Sequence, residues 1–335
     1  MFVQGFSLIE LMLAMAMGSL ILLSLVQVVQ ASKTVYRVQE GLARLQESGR
    51  LAMDVLARDI RMSGFSGCSS NRTNSVGSEL DSAEAGSLMS NFQGYRLEGV
   101  DDYDGQVPRY ADVSPFGNRT ASTRPVEGTD VLILRRPVGQ PWRLAEPGDH
   151  RPGELRVWPV ANQAPVEVGD LLLLSDCNRS RIFRATGSST RQGATVVIRY
   201  SGDWATRKPV FQKGTEIYRL EGRMYYVRQG TRGDGNSLYL KEGEDHSPPQ
   251  ELVEGVEDMQ ILYGVGERRT RGLATRRFLS ATEVENEQRW DQVTSVRLQL
   301  GFATLQGGLH PDREQNDARL RRDFVALVTL RNRAL

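Results

Sequence analysis

The stretch at residues 5–27, GFSLIELMLAMAMGSLILLSLVQ, decides the fold of this chain. Residues 6–32 contain no Lys or Arg, and Glu10 is the only charged residue among them. About 20 apolar residues are enough for a helix to cross the hydrocarbon core of a bilayer. Leu, Met and Ala favour helix, and no proline interrupts the run. The pattern predicts a membrane-spanning helix with one carboxylate near its start.

The apolar run passes at Lys33 into an amphipathic segment and not into a turn. Apolar residues recur there at three- and four-residue steps, with charged residues between them. They are Val35, Val38, Leu42, Leu45, Ala52 and Leu56. Ser63 and Gly64 then supply a stop signal. The spacing predicts one helix over residues 6–62, roughly 85 Å long at 1.5 Å per residue.

Three other structures are compatible with parts of this stretch. A buried helix of a globular protein seldom runs this long without a polar face. A coiled coil would be interrupted by Gly41 and Gly49. A secretory signal peptide would offer Val29-Gln30-Ala31 as its cleavage site, but its apolar core would exceed the usual length and MFVQ contains no basic residue. The pattern favours an anchor that stays on the chain.

The remainder of the chain predicts mostly β-structure. Residues 63–127 are rich in Gly, Ser, Asn and Asp and predict irregular surface structure. Short apolar or alternating runs follow and predict strands. They read GTDVLILRRPV, GDLLLLSDC, RIFRAT, TVVIRYS, SLYLKEG, TSVRLQLGFAT and DFVALVTLRN. EIYRLEGRMYYVRQ predicts a hairpin around Glu221-Gly222, and ELVEGVEDMQILYGV predicts a helical turn that leads into a strand. The fold class is α+β: a long N-terminal helix packed on an antiparallel β-sheet-rich domain.

Composition and spacing argue against several classes of function. A formal net charge of +1 over 335 residues gives no electrostatic footprint for nucleic acid. The two cysteines, Cys68 and Cys177, lie too far apart for a CxxC redox site or a Cys-rich zinc site. Two lone thiols are compatible with inert core residues or, in an exported chain, with a disulfide.

Isolated polar motifs predict turns and not catalytic or metal sites. His150, His246 and His310 have no carboxylate or Cys at ligand spacing and are interpreted as loop residues. The oxygen-rich turns DDYDGQ at 101–106 and GDGNS at 233–237 do not complete a calcium loop. The Arg-Gly-Asp tripeptide at 232–234 is interpreted as a hairpin tip. The sequence contains no P-loop, G-x-S-x-G or dinucleotide fingerprint, so we expect no enzyme activity, no cofactor and no metal.

Residues 5–10, GFSLIE, resemble the class III signal of type IV pilins and of type II secretion pseudopilins. A short leader ending in Gly is followed by Phe, a small hydroxyl residue, two aliphatic residues and Glu. The resemblance implies that a prepilin peptidase cuts between Gly5 and Phe6 and methylates the new amino group of Phe6. It also implies that Glu10 pairs with the amine of a neighbouring subunit and so helps to set subunit register. The leader differs from the usual family pattern because MFVQ carries no Lys or Arg.

The body of the chain resembles PilW-type minor pilins of the type IV pilus. The segments that carry this resemblance are SDC at 175–177, residues 250–265 and the terminal DFVALVTLRNR. Four regions are implied: a leader at 1–5, a transmembrane helix at 6–32, an amphipathic helix at 33–62, and a periplasmic globular β-rich domain at 63–335. An exported domain favours a disulfide between Cys68 and Cys177.

The implied function is that of a minor pilin. It would be a single-pass inner-membrane subunit that helps to initiate the pilus or sits at its tip, in pili that serve adhesion and twitching motility. Its partners would be major and minor pilins, the prepilin peptidase, the inner-membrane assembly machinery and the lipid bilayer. A minor pseudopilin of type II secretion, or an anchored periplasmic binding or adhesion module that does not polymerise, remains the alternative.

Overall fold

The computed structural model describes residues 8–63, 65, 67, 76–78, 98–100, 125–148, 151–176, 179–202, 205, 210–233, 235–242, 248–269, 272–305 and 319–331. Its helices are α1 (Leu8–Met62) and α2 (Ala281–Asn286), with a short 3₁₀ turn at Trp290–Gln292. The first seven strands are β1 (Val76–Ser78), β2 (Glu98–Val100), β3 (Val131–Leu144), β4 (Glu154–Trp158), β5 (Leu171–Asp176), β6 (Arg179–Gln192) and β7 (Thr195–Tyr200). The others are β8 (Glu216–Gln229), β9 (Asn236–Glu242), β10 (Gln250–Glu254), β11 (Val256–Arg269), β12 (Gly272–Leu279), β13 (Val293–Ala303) and β14 (Arg321–Thr329).

The first sheet closes on itself over part of its length. Its strand order is β10-β9-β8-β5-β6-β7-β4-β3-β2, and β3 also pairs with β8. Strands β8, β5, β6, β7, β4 and β3 therefore form a six-stranded barrel. Alternate side chains of all six strands point to its inside and form one buried apolar cluster. The cluster consists of Trp142, Leu144, Leu155, Val157, Val166, Leu172, Leu174, Phe183, Ala185, Ile198, Tyr200, Ala205, Phe211 and Ile217.

Strands β3 and β8 extend beyond the barrel and join it to the rest of the domain. Residues 223–229 of β8 pair with β9, and β9 pairs with β10. A second, antiparallel sheet has the order β12-β11-β13-β14. The second half of α1 packs against β14, β3, β10 and β13. One large apolar core lies between this half of the helix, the second sheet and the extended ends of β3, β8 and β9.

The α+β class predicted from the sequence is confirmed. The apolar runs assigned to strands lie in β3, β5, β6, β7, β9, β13 and β14, and α1 ends at Met62. Among the described strands, all pairs are antiparallel except β1 with β6, which is parallel. Most of the segment 63–127 lies outside the described residues.

Two local predictions are wrong. Glu221 and Gly222 do not form a hairpin turn, because β8 continues through them and pairs along its length with β3. The segment 251–265 contains no helical turn. It consists of β10 and β11 joined at Gly255, whose φ of +83° is readily adopted only by glycine. A Cβ atom at this position would lie 2.7 Å from the carbonyl oxygen of Ala303.

Candidate functional site: the exposed half of the helix and its attachment to the domain

The first half of α1 has no contact that buries a side chain. No residue in 8–44 is buried, and most of its large apolar side chains are more than half exposed. This stretch of 37 residues extends about 55 Å at 1.5 Å per residue. The helix is long and apolar enough to cross a membrane, and its most apolar part is entirely unburied. Water does not stabilise such a surface, so lipid or other helices must cover it.

Glu10 lies in the first turn of this exposed helix. A carboxylate is favoured there because the helix dipole places positive partial charge at the N-terminal end. Deep in a bilayer an ionised side chain is unfavourable by roughly 2.5–3.5 kcal/mol or more, but near a helix end it can reach the interface. Gly5 and Phe6, the residues of the predicted cleavage and methylation site, lie outside the described residues.

The second half of α1 is attached to the domain along one narrow stripe. Its buried residues are Leu45, Gly49, Ala52, Leu56, Asp59 and Ile60, at three- and four-residue spacing. The closest approach is at Gly49, where an added Cβ would lie 2.4 Å from the ring of Phe324 in β14. Glycine thus lets the aromatic ring of β14 contact the helix backbone.

One member of the buried stripe is charged. The carboxylate of Asp59 accepts a hydrogen bond of 2.8 Å from Nη1 of Arg223 and one of 2.5 Å from the hydroxyl of Tyr225. Its other oxygen lies 3.4 Å from Nη1 of Arg136. The side chain of Asp59 is 3% exposed. We refer to Asp59, Arg136, Arg223 and Tyr225 as the Asp59 clamp. It ties the last turns of α1 to β3 and β8.

Two glutamates complete the electrostatic environment of the clamp. Arg223 also contacts Glu242 of β9, and its Nε lies 3.5 Å from Glu221. Burial alone would lower the pKa of Arg223, but the hydrogen bond and charge of Asp59 raise it overall. Burial, and then the hydrogen bond to Asp59, raises the pKa of the Tyr225 hydroxyl. Both donors therefore keep their protons at physiological pH.

The pKa of Glu221 is raised as well. Burial is the main cause, and the nearby negative charge of Glu242 adds to it, while Arg223 and Arg136 act in the opposite direction. A carboxylate with a raised pKa is less stable in its ionised form in the folded protein than in the unfolded chain. The charge balance of the clamp is therefore sensitive to one acidic group at its rim.

Sequence reasoning did not identify the clamp. The available signal was Asp59 itself, because it occupies a position in the apolar stripe three residues after Leu56. A carboxylate on the buried face of an amphipathic helix needs a cationic or hydrogen-bonding partner. The partners lie more than 75 residues away in the chain, so the sequence alone did not indicate which residues they are.

A polar cleft lies where the helix leaves the domain. It has a volume of about 510 Å³ and lies between the middle of α1 and the residues around Gly255. Its lining includes three arginines and three glutamates: Arg37, Arg44, Arg232, Glu40, Glu47 and Glu254. Small-molecule sites are mostly apolar with few polar groups. This cleft carries six charged side chains, and we assign no ligand to it.

The other residues singled out from the sequence are only partly described. Arg232 and Gly233 lie in the connection between β8 and β9, where Arg232 is 3.5 Å from Glu254. Within the described residues no group of three or more His, Cys, Asp or Glu is placed to hold a metal ion. The following positions lie outside the described residues: Cys68, Cys177, Asp101, Asp102, Asp104, Asp234, His150, His246 and His310.

Comparison with protein families finds a match to part of this chain. The family model described as Type IV Pilus-assembly protein W matches residues 224–321. This segment, less than a third of the chain, begins in β8, includes β9 to β13 and ends at the first residue of β14. Nearly the whole barrel lies outside it. Neither the curated proteins nor the solved structures gave a significant match. The family match supports a role related to type IV pilus assembly.

Proposed function

We propose that this protein is a minor pilin: a single-pass, inner-membrane subunit that helps to initiate assembly of a type IV pilus or sits at its tip. Its role is structural and not catalytic. Its partners are other pilins, the prepilin peptidase and the inner-membrane assembly machinery. The barrel adds bulk to the globular part, which suits a subunit present in few copies.

The observation that carries this proposal is the division of α1 into two halves. Residues 11–32 contain no charged side chain and are unburied, whereas the part of the helix from Leu45 onward contributes to the domain core. One continuous helix can therefore hold the domain at a membrane and afterwards pack among equivalent helices without refolding. The family match within the domain supports the pilus as the place where this happens.

Glu10 has a specific role in the proposed assembly. Peptidase cleavage before Phe6 would create a cationic amine one turn before this carboxylate. In a bundle of such helices the amine of one subunit pairs with Glu10 of its neighbour. An unpaired charge in an apolar bundle is costly, so the pair favours one register between subunits.

The test uses the full chain in its native host. The amino-terminal peptide is identified by mass spectrometry, and the membrane and sheared-filament pools are compared for wild type, Glu10→Ala and Glu47→Ala. Glu47 is a matched control, because it is an exposed glutamate on the second half of the same helix. We expect a methylated Phe6 terminus and depletion of Glu10→Ala from filaments alone.

Other outcomes reject the proposal. A mature chain that begins at Met1 or Ser32 would contradict prepilin processing. Correct processing without any protein in pili, together with loss of type II secretion in a deletion strain, would indicate the pseudopilin instead. Equal filament incorporation of both glutamate variants would remove the role assigned to Glu10.

A further inference from the structure

Among the described strands, β14 lies at the edge of the second sheet, and its residues 324–329 carry no charged side chain. Within the described residues it pairs only with β13, over nine consecutive residues without a bulge. Val325 and Leu327 point away from the helix and are 55% and 60% exposed. The strand contains neither proline nor lysine. A long, regular, apolar edge of this kind is a template for a strand from another chain.

The other described sheet edges differ from β14. The pairing of β10 with β9 contains a bulge, and β2 is described over three residues, Glu98–Val100. The pairing of β12 with β11 is also bulged, and Arg277 of β12 forms an ion pair with Glu287. Short length, bulges and charged residues are the usual devices that prevent edge-to-edge association. Among the described edges, β14 combines nine paired residues without a bulge with an uncharged second half, so we expect it to be covered in the working protein.

We propose that the free edge of β14 pairs with a strand of a second, different pilin-like subunit, one with acidic side chains opposite the start of β14. This inference rests on the proposed function, because it names a partner within the same assembly. Main-chain hydrogen bonds would supply the affinity, and the exposed side chains of β14 would supply the specificity.

The direction of β14 excludes antiparallel pairing with a second copy of the chain. The ring of Phe324 lies at Gly49, and the amide of Arg331 donates a 3.2 Å hydrogen bond to the carbonyl of Arg61. The strand therefore runs in the same direction as α1. Two antiparallel copies of β14 would point their apolar helices in opposite directions. One membrane cannot hold both anchors in that arrangement.

Charge argues against parallel pairing of two copies and defines the partner. The first three residues of β14 are Arg321, Arg322 and Asp323, and all are exposed. These three residues carry two basic side chains and one acidic side chain. A parallel copy would bring the same basic groups side by side, whereas an acidic partner complements them.

The experiment places a photocrosslinking amino acid, p-benzoylphenylalanine, at single positions of the full chain in the native host. Leu327→p-benzoylphenylalanine probes the edge. Leu262→p-benzoylphenylalanine is the matched control, because Leu262 is partly exposed on the central strand β11. Leu22→p-benzoylphenylalanine probes the exposed helix. After irradiation, adducts are identified by mass and peptide sequence. The edge probe is then repeated with Arg322→Glu.

We expect an adduct between position 327 and a different pilin-like subunit, absent at position 262 and lost with Arg322→Glu. Adducts from position 22 but not from 327 would overturn the edge pairing and leave the proposed function intact. If neither position 22 nor position 327 gives an adduct with a pilin, both the edge pairing and the proposed function are overturned. An adduct of twice the chain mass, or equal labelling at 262 and 327, would also overturn the inference.

Discussion

Replacing Asp59 with alanine should detach the helix from the domain at its strongest polar contact. The change leaves Arg223 and the hydroxyl of Tyr225 without their shared acceptor in a site where Asp59 is 3% exposed. Removing one partner of a buried pair costs about 3–5 kcal/mol. Arg223 keeps its contacts with Glu221 and Glu242, so the expected loss lies near the lower end, about 3 kcal/mol.

The assay is urea unfolding of the full chain in detergent micelles. Tryptophan fluorescence follows both parts of the domain, because Trp142 lies in the barrel core and Trp290 in the larger core. With a denaturant slope of about 3 kcal/mol per molar, the midpoint should fall by about 1 M. Hydrogen exchange of the peptide that covers residues 45–62 should rise in the same variant, because this segment is the part that the clamp holds.

Two variants make the result specific to the charge. Asp59→Asn keeps the shape and one acceptor, so its loss should be intermediate. Asp54→Ala removes an exposed carboxylate of the same helix and should change stability by less than about 0.5 kcal/mol. If Asp59→Ala unfolds at the same urea concentration as Asp54→Ala, the clamp adds no net stability and the reasoning fails.

Three further predictions concern packing, pH and covalent structure. Gly49→Ala should lower the urea midpoint of unfolding. Overpacking against Phe324 costs about 1–3 kcal/mol, which outweighs the gain of about 1 kcal/mol in helix propensity. Gly18→Ala is the control and should not lower the midpoint, because no atom lies within 4 Å of the added Cβ. The pKa of Glu221 is raised in the folded protein, so protonated Glu221 contributes stability at low pH that is lost as the pH rises through this raised pKa. Glu221→Gln should therefore have a larger free energy of unfolding than wild type at neutral pH and the same free energy of unfolding below about pH 4. Non-reducing peptide mapping of exported protein should find Cys68 linked to Cys177, and two free thiols would contradict this; such a loop of about 110 residues is worth up to about 5 kcal/mol.

The helix and most strands were predictable because their signals are local. The apolar run and the three- and four-residue spacing that predicted the helix coincide with α1, and the runs that end in β13 and β14 alternate or are apolar as expected. These patterns show which face of a helix or strand is buried. They do not depend on which other element covers that face.

The errors arise where distant parts of the chain decide the structure. Glu221-Gly222 gives a turn signal, but β8 continues through it because β3 pairs with both residues, while β5 pairs with the residues before them and β9 with the residues after them. Gly255 turns the chain between two strands, and its amide and carbonyl bond to Asn236 and Ala303. Closure of the barrel likewise depends on β3 meeting β8, some 80 residues later in the chain. No local period predicts such pairings.

The Asp59 clamp joins the end of α1 to two strands of the barrel. Arg136 lies on β3 and Arg223 on β8, the two strands that belong to both the barrel and the larger core. Phe65, three residues after the end of α1, packs edge-to-face on Tyr218 against the outer wall of the barrel. Two contacts thus fix the end of the helix to these strands. The buried carboxylate of Asp59 pairs with the arginines of β3 and β8, and the ring of Phe65 packs on Tyr218. The contacts at the end of α1 are therefore made with β3 and β8, the two strands whose pairing closes the barrel.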